Sequence, residues 1–126
     1  MGLDMYAYRT LEKVNEDIDF QNDIDYDAAE QIMYWRKHPN LHGFMENLYI
    51  EKGGVDDFNC RPVRLTQEDI DRLAASIIDE GLPETRGFFF GESYGTEEER
   101  QEDLEFCKQA SESIKEGYTV FYDSWW

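Results

Sequence analysis

Apolar and polar positions alternate at the two ends of the chain and recur at helical spacing between them. Residues 3–9 set Leu3, Met5 and Ala7 against Asp4, Tyr6 and Tyr8, the period-2 pattern of a strand. Tyr118 to Trp125 alternates again and predicts a last strand. Residues 26–37 suit a helix with acid in its first turn and base in its last, matching the macrodipole. His38-Pro39 should break it, because a residue before proline avoids helical angles. Pro39 then opens a second helix with Leu41, Phe44, Met45, Leu48 and Tyr49 on one face, ended by Gly53-Gly54.

Residues 58–65 read as a strand that Pro62 weakens and so suits to a sheet edge. Thr66 with Asp69 three residues on has the form of a capping box, and Ile70, Leu73, Ala74, Ile77 and Ile78 follow at amphipathic spacing. Gly81 and Pro83 close that helix. Gly87-Phe-Phe-Phe-Gly91 predicts a short strand buried on both faces. Thr96 with Glu99 caps a last long helix, which Gly117 ends. The order β-α-α-β-α-β-α-β predicts one α+β domain over residues 1–126: a small, about four-stranded sheet packed by about four helices, with an irregular acidic segment at about 10–25.

Composition supports a folded chain in spite of its charge. Apolar residues make up 40% and aromatics 15%, far from the composition of a disordered acidic segment. No run approaches eighteen apolar residues, and Met1-Gly2-Leu3-Asp4 has no secretory character. Cys60 and Cys107 make no disulfide framework and read as small reduced residues of a cytosolic protein.

Charge changes the picture most. Twenty-nine Asp and Glu against twelve Lys and Arg give a formal net charge of −17. Residues 1–30 hold nine acids and two bases, residues 31–65 four and five, and residues 66–126 sixteen and five. Two acidic arms thus flank a neutral centre. Such a field opposes nucleic acid and acidic membranes and favours basic partners.

Projecting the last helix at about 100° per residue separates Leu104, Cys107, Ala110, Ser111 and Ile114 from a stripe of Glu98, Glu102, Glu105, Glu112 and Glu116. Glu98/Glu102 and Glu112/Glu116 repel at i,i+4, costing a few tenths of a kcal/mol each, roughly. Residues 97–105 hold six acids in nine positions, one per ~2.3 Å of helix axis, against one per ~1.7 Å in duplex DNA. Asp17, Asp19, Asp23, Asp25 and Asp27 alternate in the first arm and would supply a sparser second row.

Other constellations are weaker. Asp23-x-Asp25-x-Asp27 begins like a calcium loop, but Ala28 and Tyr34 stand where Gly and Glu are needed. His38 and His42 have zinc-helix spacing that Pro39 spoils, which leaves them a capping or interface role. Tyr34 and Trp35 beside Arg36 and Lys37 read as core packing rather than nucleotide stacking. No catalytic residue, metal or cofactor is expected, and a metal-dependent enzyme would rest only on these Asp and His spacings.

Met1-Gly-Leu-Asp-Met-Tyr6, Tyr34-Trp-Arg-Lys37, Gly87-Phe-Phe-Phe-Gly91 and Tyr122-Asp-Ser-Trp-Trp126 together resemble a family of small uncharacterised proteins of tailed bacteriophages and prophages. Some members have been described as kinases, yet this chain has no phosphate loop and is far too short. The resemblance implies a phage origin and a bacterial host cytoplasm. By analogy of class, it implies an acidic binding protein that inhibits a host nucleic-acid-binding defence complex, of the anti-CRISPR or anti-restriction type, without touching nucleic acid or membrane. The alternative is a phage accessory or assembly protein that self-associates through Phe88, Phe90, Tyr122, Trp125 and Trp126.

Overall fold

Alternation in the first strand, β1 (Asp4–Thr10), divides the protein into two layers. A computed structural model describes residues 2–83, 85 and 95–126. Further strands are β2 (Glu30–Arg36), β3 (Val63–Leu65) and β4 (Thr119–Trp125); the helices are α1 (Pro39–Glu51), α2 (Gln67–Ile78) and α3 (Glu97–Lys115). The described strands form one antiparallel sheet in the order β2-β1-β4-β3, so the fold is α+β, with a small four-stranded sheet and three helices among the described residues. The edge position expected of the Pro62 strand is observed, though only Val63–Leu65 joins the ladder. The strand expected at 87–91 lies outside the described residues.

Met5 and Ala7 of β1, Val120 and Tyr122 of β4, and Val63 and Leu65 of β3 face the helices. Leu41, Met45 and Leu48 of α1, Ile70, Leu73 and Ile77 of α2, and Phe106 and Ala110 of α3 fill this core. Pro39 opens α1 as expected. Gly54 follows that helix because a Cβ there would stand 2.2 Å from the Tyr49 ring. Thr66 caps α2 in a full capping box with Asp69. Burial alone would raise the Asp69 pKa, but Lys52 Nζ at 2.6 Å and the Thr66 N–H hold it below the usual range. Ile78, expected on the apolar face, is exposed instead.

The opposite face of the sheet is covered by the acidic segment itself. Phe121 of β4 points away from the helices and packs with Val14 and Phe20, against Tyr8, Ile24 and Tyr26. Phe20 and Tyr26 both meet the Phe121 ring edge-on, at 5.5 and 5.8 Å. Tyr26 donates to Asp123 Oδ2 at 2.7 Å beneath this cover, and burial pushes the Asp123 carboxyl up. Ile18 pairs as an isolated bridge with Val63, so the segment also covers the outer edge of β3.

The helix expected at 26–37 is a correction: Glu30–Arg36 is edge strand β2. Cross-strand contacts with β1 outweigh its helix-like charge pattern, with Tyr6 opposite Tyr34 (ring centroids 5.2 Å apart) and Met5 opposite Trp35. A register shift between Ala7 and Tyr8 leaves Ile32 without an opposite residue, which breaks the alternation that would have betrayed a strand. Lys37, at φ +58°, then turns the chain into His38 and α1.

His42, expected in a capping or interface role, is instead a buried core residue. It lies in the core, with Nδ1 2.7 Å from Tyr122 Oη and its ring stacked on Phe58. Burial lowers its pKa from 6.5 to about 4. The unfolded chain therefore binds this proton first as pH falls, so the contribution of His42 is complete above about pH 6.5 and is lost towards pH 4. The lost stability is on the order of 3 kcal/mol.

Two predictions follow from the layers. Phe20→Ala should raise amide exchange across residues 11–29 while leaving the helices protected, because that segment hangs on the Phe121 cluster. Urea unfolding of the wild type and His42→Asn should show a stability gap that narrows as pH falls from 7 to 4; a constant gap would show that His42 does not titrate in the core.

Candidate functional site

The α3 stripe exists, but on a helix rolled away from the expected orientation. Asp103, Phe106, Cys107, Ala110 and Ser113 are buried, whereas Leu104, Ser111 and Ile114 are only half-buried. The Trp35 ring sets this roll. Phe106 meets it edge-on at 4.9 Å, and its indole N–H donates to Asp103 Oδ1 at 3.1 Å. Glu98, Glu102, Glu105, Glu112 and Glu116 remain exposed and run beside the β2 edge of the sheet.

Among the described residues Glu98, Glu102, Glu105 and Glu112 make no ion pair. Glu116 lies 4.0 Å from Arg9, which binds Glu30 at 2.6 Å as well. Arg36 and Lys37 line a groove opposite Glu98 and Glu102 and temper that end of the row.

The density expected for this helix falls once burial is known. Of the six acids in residues 97–105, Asp103 is buried and Glu99 is largely so, and Glu97 pairs with Arg100 at 2.6 Å. The five stripe carboxylates, spread over the nineteen residues from Glu98 to Glu116, then fall about one per 5.7 Å of axis, sparser than the ~3.4 Å of a single DNA strand. The stripe is an acidic ridge and not a replica of a duplex.

The N-terminal arm is not its second row. α3 packs on the helical side of the sheet, whereas Val14, Phe20, Ile24 and Tyr26 pack on the other and Ile18 packs at the β3 edge. Asp17 is bound by Arg64, and Asp19 by Arg61 at 3.3 Å and by the Tyr49 hydroxyl at 3.2 Å. These two carboxylates fasten the arm to the β3 edge. Asp23, Asp25 and Asp27 are exposed, and Asp25 Oδ1 accepts from the Asp27 N–H in a tight turn. They do not converge as cation ligands would.

A different group of residues does converge. His38 is the N-cap residue of α1 but makes no side-chain cap; its Nε2 lies 2.7 Å from Asp103 Oδ2 and 3.7 Å from Glu99 Oε1. Asp103, 2% exposed, thus binds Trp35 with one oxygen and His38 with the other. Glu99 is held by the α3 cap, where its N–H donates to Thr96 Oγ1 and its Oε1 accepts from Gly95 N at 3.0 Å. One ligand atom from each of His38, Glu99 and Asp103 lies within 4.8 Å of the other two. Two clefts reach this cluster, one beside Asn40 and Leu82 and one beside Tyr34 and Lys37.

Composition does not mark this cluster, because Asp103 stands in a run of six acids in nine positions that does not show which one is buried. The spacing 96-99-103 on α3, which puts Glu99 and Asp103 on adjacent turns of one face, is the signal that could have found it.

The other candidates are placed more simply. Cys107 is buried, with its thiol pushed up to about 12 by burial and by Asp103, and Cys60 is exposed rather than packed. Trp35 belongs to the core as expected, while Tyr34 lies largely outside it and donates to Asp4 Oδ1 at 2.6 Å. Of the aromatic patch, Tyr122 is fully buried and Trp126 is tied to Phe58 and Asn59, leaving Trp125 exposed. Phe88 and Phe90 lie outside the described residues. No helix among the described residues is long and apolar enough to cross a membrane.

Compared with protein-family models, curated proteins and solved structures, the chain matches none.

Proposed function

We propose that the protein is an acidic binding protein whose α3 ridge docks on a basic, nucleic-acid-binding surface of a bacterial host complex, of the anti-CRISPR or anti-restriction type. The observation that carries this reading is the run of exposed carboxylates without ion-pair partners among the described residues, Glu98, Glu102, Glu105 and Glu112, on a chain of net charge −17. Nearby acids are paired with Arg9 or Arg100, and Asp17 and Asp19 at the far edge of the sheet with Arg64 and Arg61, whereas these four ridge carboxylates have no such cation among the described residues.

Complementary charge of this kind speeds association and makes it sensitive to salt. The resemblance to phage proteins supports a bacterial partner. The lower density measured along α3 favours a partner read by overall field over one that requires the spacing of phosphates. Asp23, Asp25 and Asp27, on the other layer, belong to solubility and turn formation in this reading.

The immobilised protein should retain basic nucleic-acid-binding proteins from a bacterial lysate at low salt, release them as salt rises, and lose them to competing duplex DNA. The variant Glu102→Lys/Glu105→Lys/Glu112→Lys should fold normally and retain at least tenfold less. Equal retention by that variant, or indifference to DNA, would contradict the proposal.

A further inference from the structure

We propose that His38, Glu99 and Asp103 form a binding site for one divalent first-row transition ion, such as Zn2+. The donor set is one imidazole nitrogen and two carboxylate oxygens, a set suited to zinc, cobalt or manganese and too poor in oxygen for calcium. The Nε2···Oδ2 separation of 2.7 Å and the Nε2···Oε1 separation of 3.7 Å bracket the edge of a coordination polyhedron with metal–ligand bonds of about 2.1 Å. Side-chain shifts within an ångström, roughly, bring all three atoms onto one ion.

The hydrogen bond between His38 Nε2 and Asp103 Oδ2 marks where the ion would enter. A carboxylate only accepts, so Nε2 is the donor in this bond. The metal takes the place of the Nε2 proton, and the neutral imidazole that ligates through Nε2 carries its one N–H on Nδ1.

Three features distinguish this group from a buried ion pair. The Trp35 indole N–H holds Asp103 Oδ1 and so fixes the direction of Oδ2, as outer-shell donors do for ligating carboxylates. Gly95 N and the Thr96 cap hold Glu99 from the other side. Two clefts among the described residues reach His38 and Glu99 and give an ion access to them. Three protein ligands would leave at least one position for water or for a partner's donor atom.

Untagged, metal-stripped protein should take up one Zn2+ per chain in equilibrium dialysis, and one Co2+ with visible ligand-field absorption. Glu99→Gln keeps an oxygen for the Gly95 bond and Asp103→Asn keeps one for Trp35, so both should fold; each should weaken Zn2+ binding at least tenfold. The ridge variant Glu102→Lys/Glu105→Lys/Glu112→Lys should still bind one ion. Absence of a saturable one-to-one site, wild-type affinity in both Glu99→Gln and Asp103→Asn, or loss of the ion in the ridge variant would overturn the proposal. The last of these would assign the uptake to surface acid and leave the docking proposal to its own test.

Discussion

A single buried carboxylate, Asp103, holds the helical layer in register with the sheet. Its two oxygens bind the indole of Trp35 on β2 and the imidazole of His38 at the start of α1, so one side chain of α3 ties together three elements. A buried charge is costly unless fully hydrogen-bonded, and removal of either donor would leave it so. The roll of α3 follows from this bond together with Phe106 on Trp35. The same roll turns Glu98, Glu102, Glu105 and Glu112 outward beside the β2 edge.

The charge of the chain separates into acids with structural tasks and acids without them. Asp17 and Asp19 fasten the N-terminal segment, Asp69 completes a cap, Asp103 anchors α3, and Asp123 holds Tyr26. These groups are spread over both layers. The α3 ridge has no such task within the described residues, and its carboxylates repel one another along the helix. The binding role proposed above would account for that cost, and the ridge lies on the helical side of the sheet.

Much of the fold was legible in the sequence. β1 and β4 showed period-2 alternation because one face of each meets the helices, and the starts of α1, α2 and α3 were written in Pro39, Thr66 and Thr96. β2 was not legible, since its bulge at Ile32 interrupts the alternation and its charges imitate a helix. The exposed stripe was found correctly by helical projection, but its density was overestimated because projection cannot know that an aspartate will be buried. The His38–Glu99–Asp103 cluster joins positions 65 residues apart in the chain and depends on a strand that read as a helix. The division of the two acidic arms between opposite faces likewise needed the aromatic cluster of Phe20 and Phe121, which has no local signature.

The central role of Asp103 is tested most directly by a double-mutant cycle with His38. Urea unfolding of the wild type, His38→Ala, Asp103→Ala and the double variant gives their coupling free energy. Direct bonding within one buried network predicts a favourable coupling of about 1–3 kcal/mol. A coupling indistinguishable from zero would contradict the account and return Asp103 to the solvated acids among which its neighbours lie.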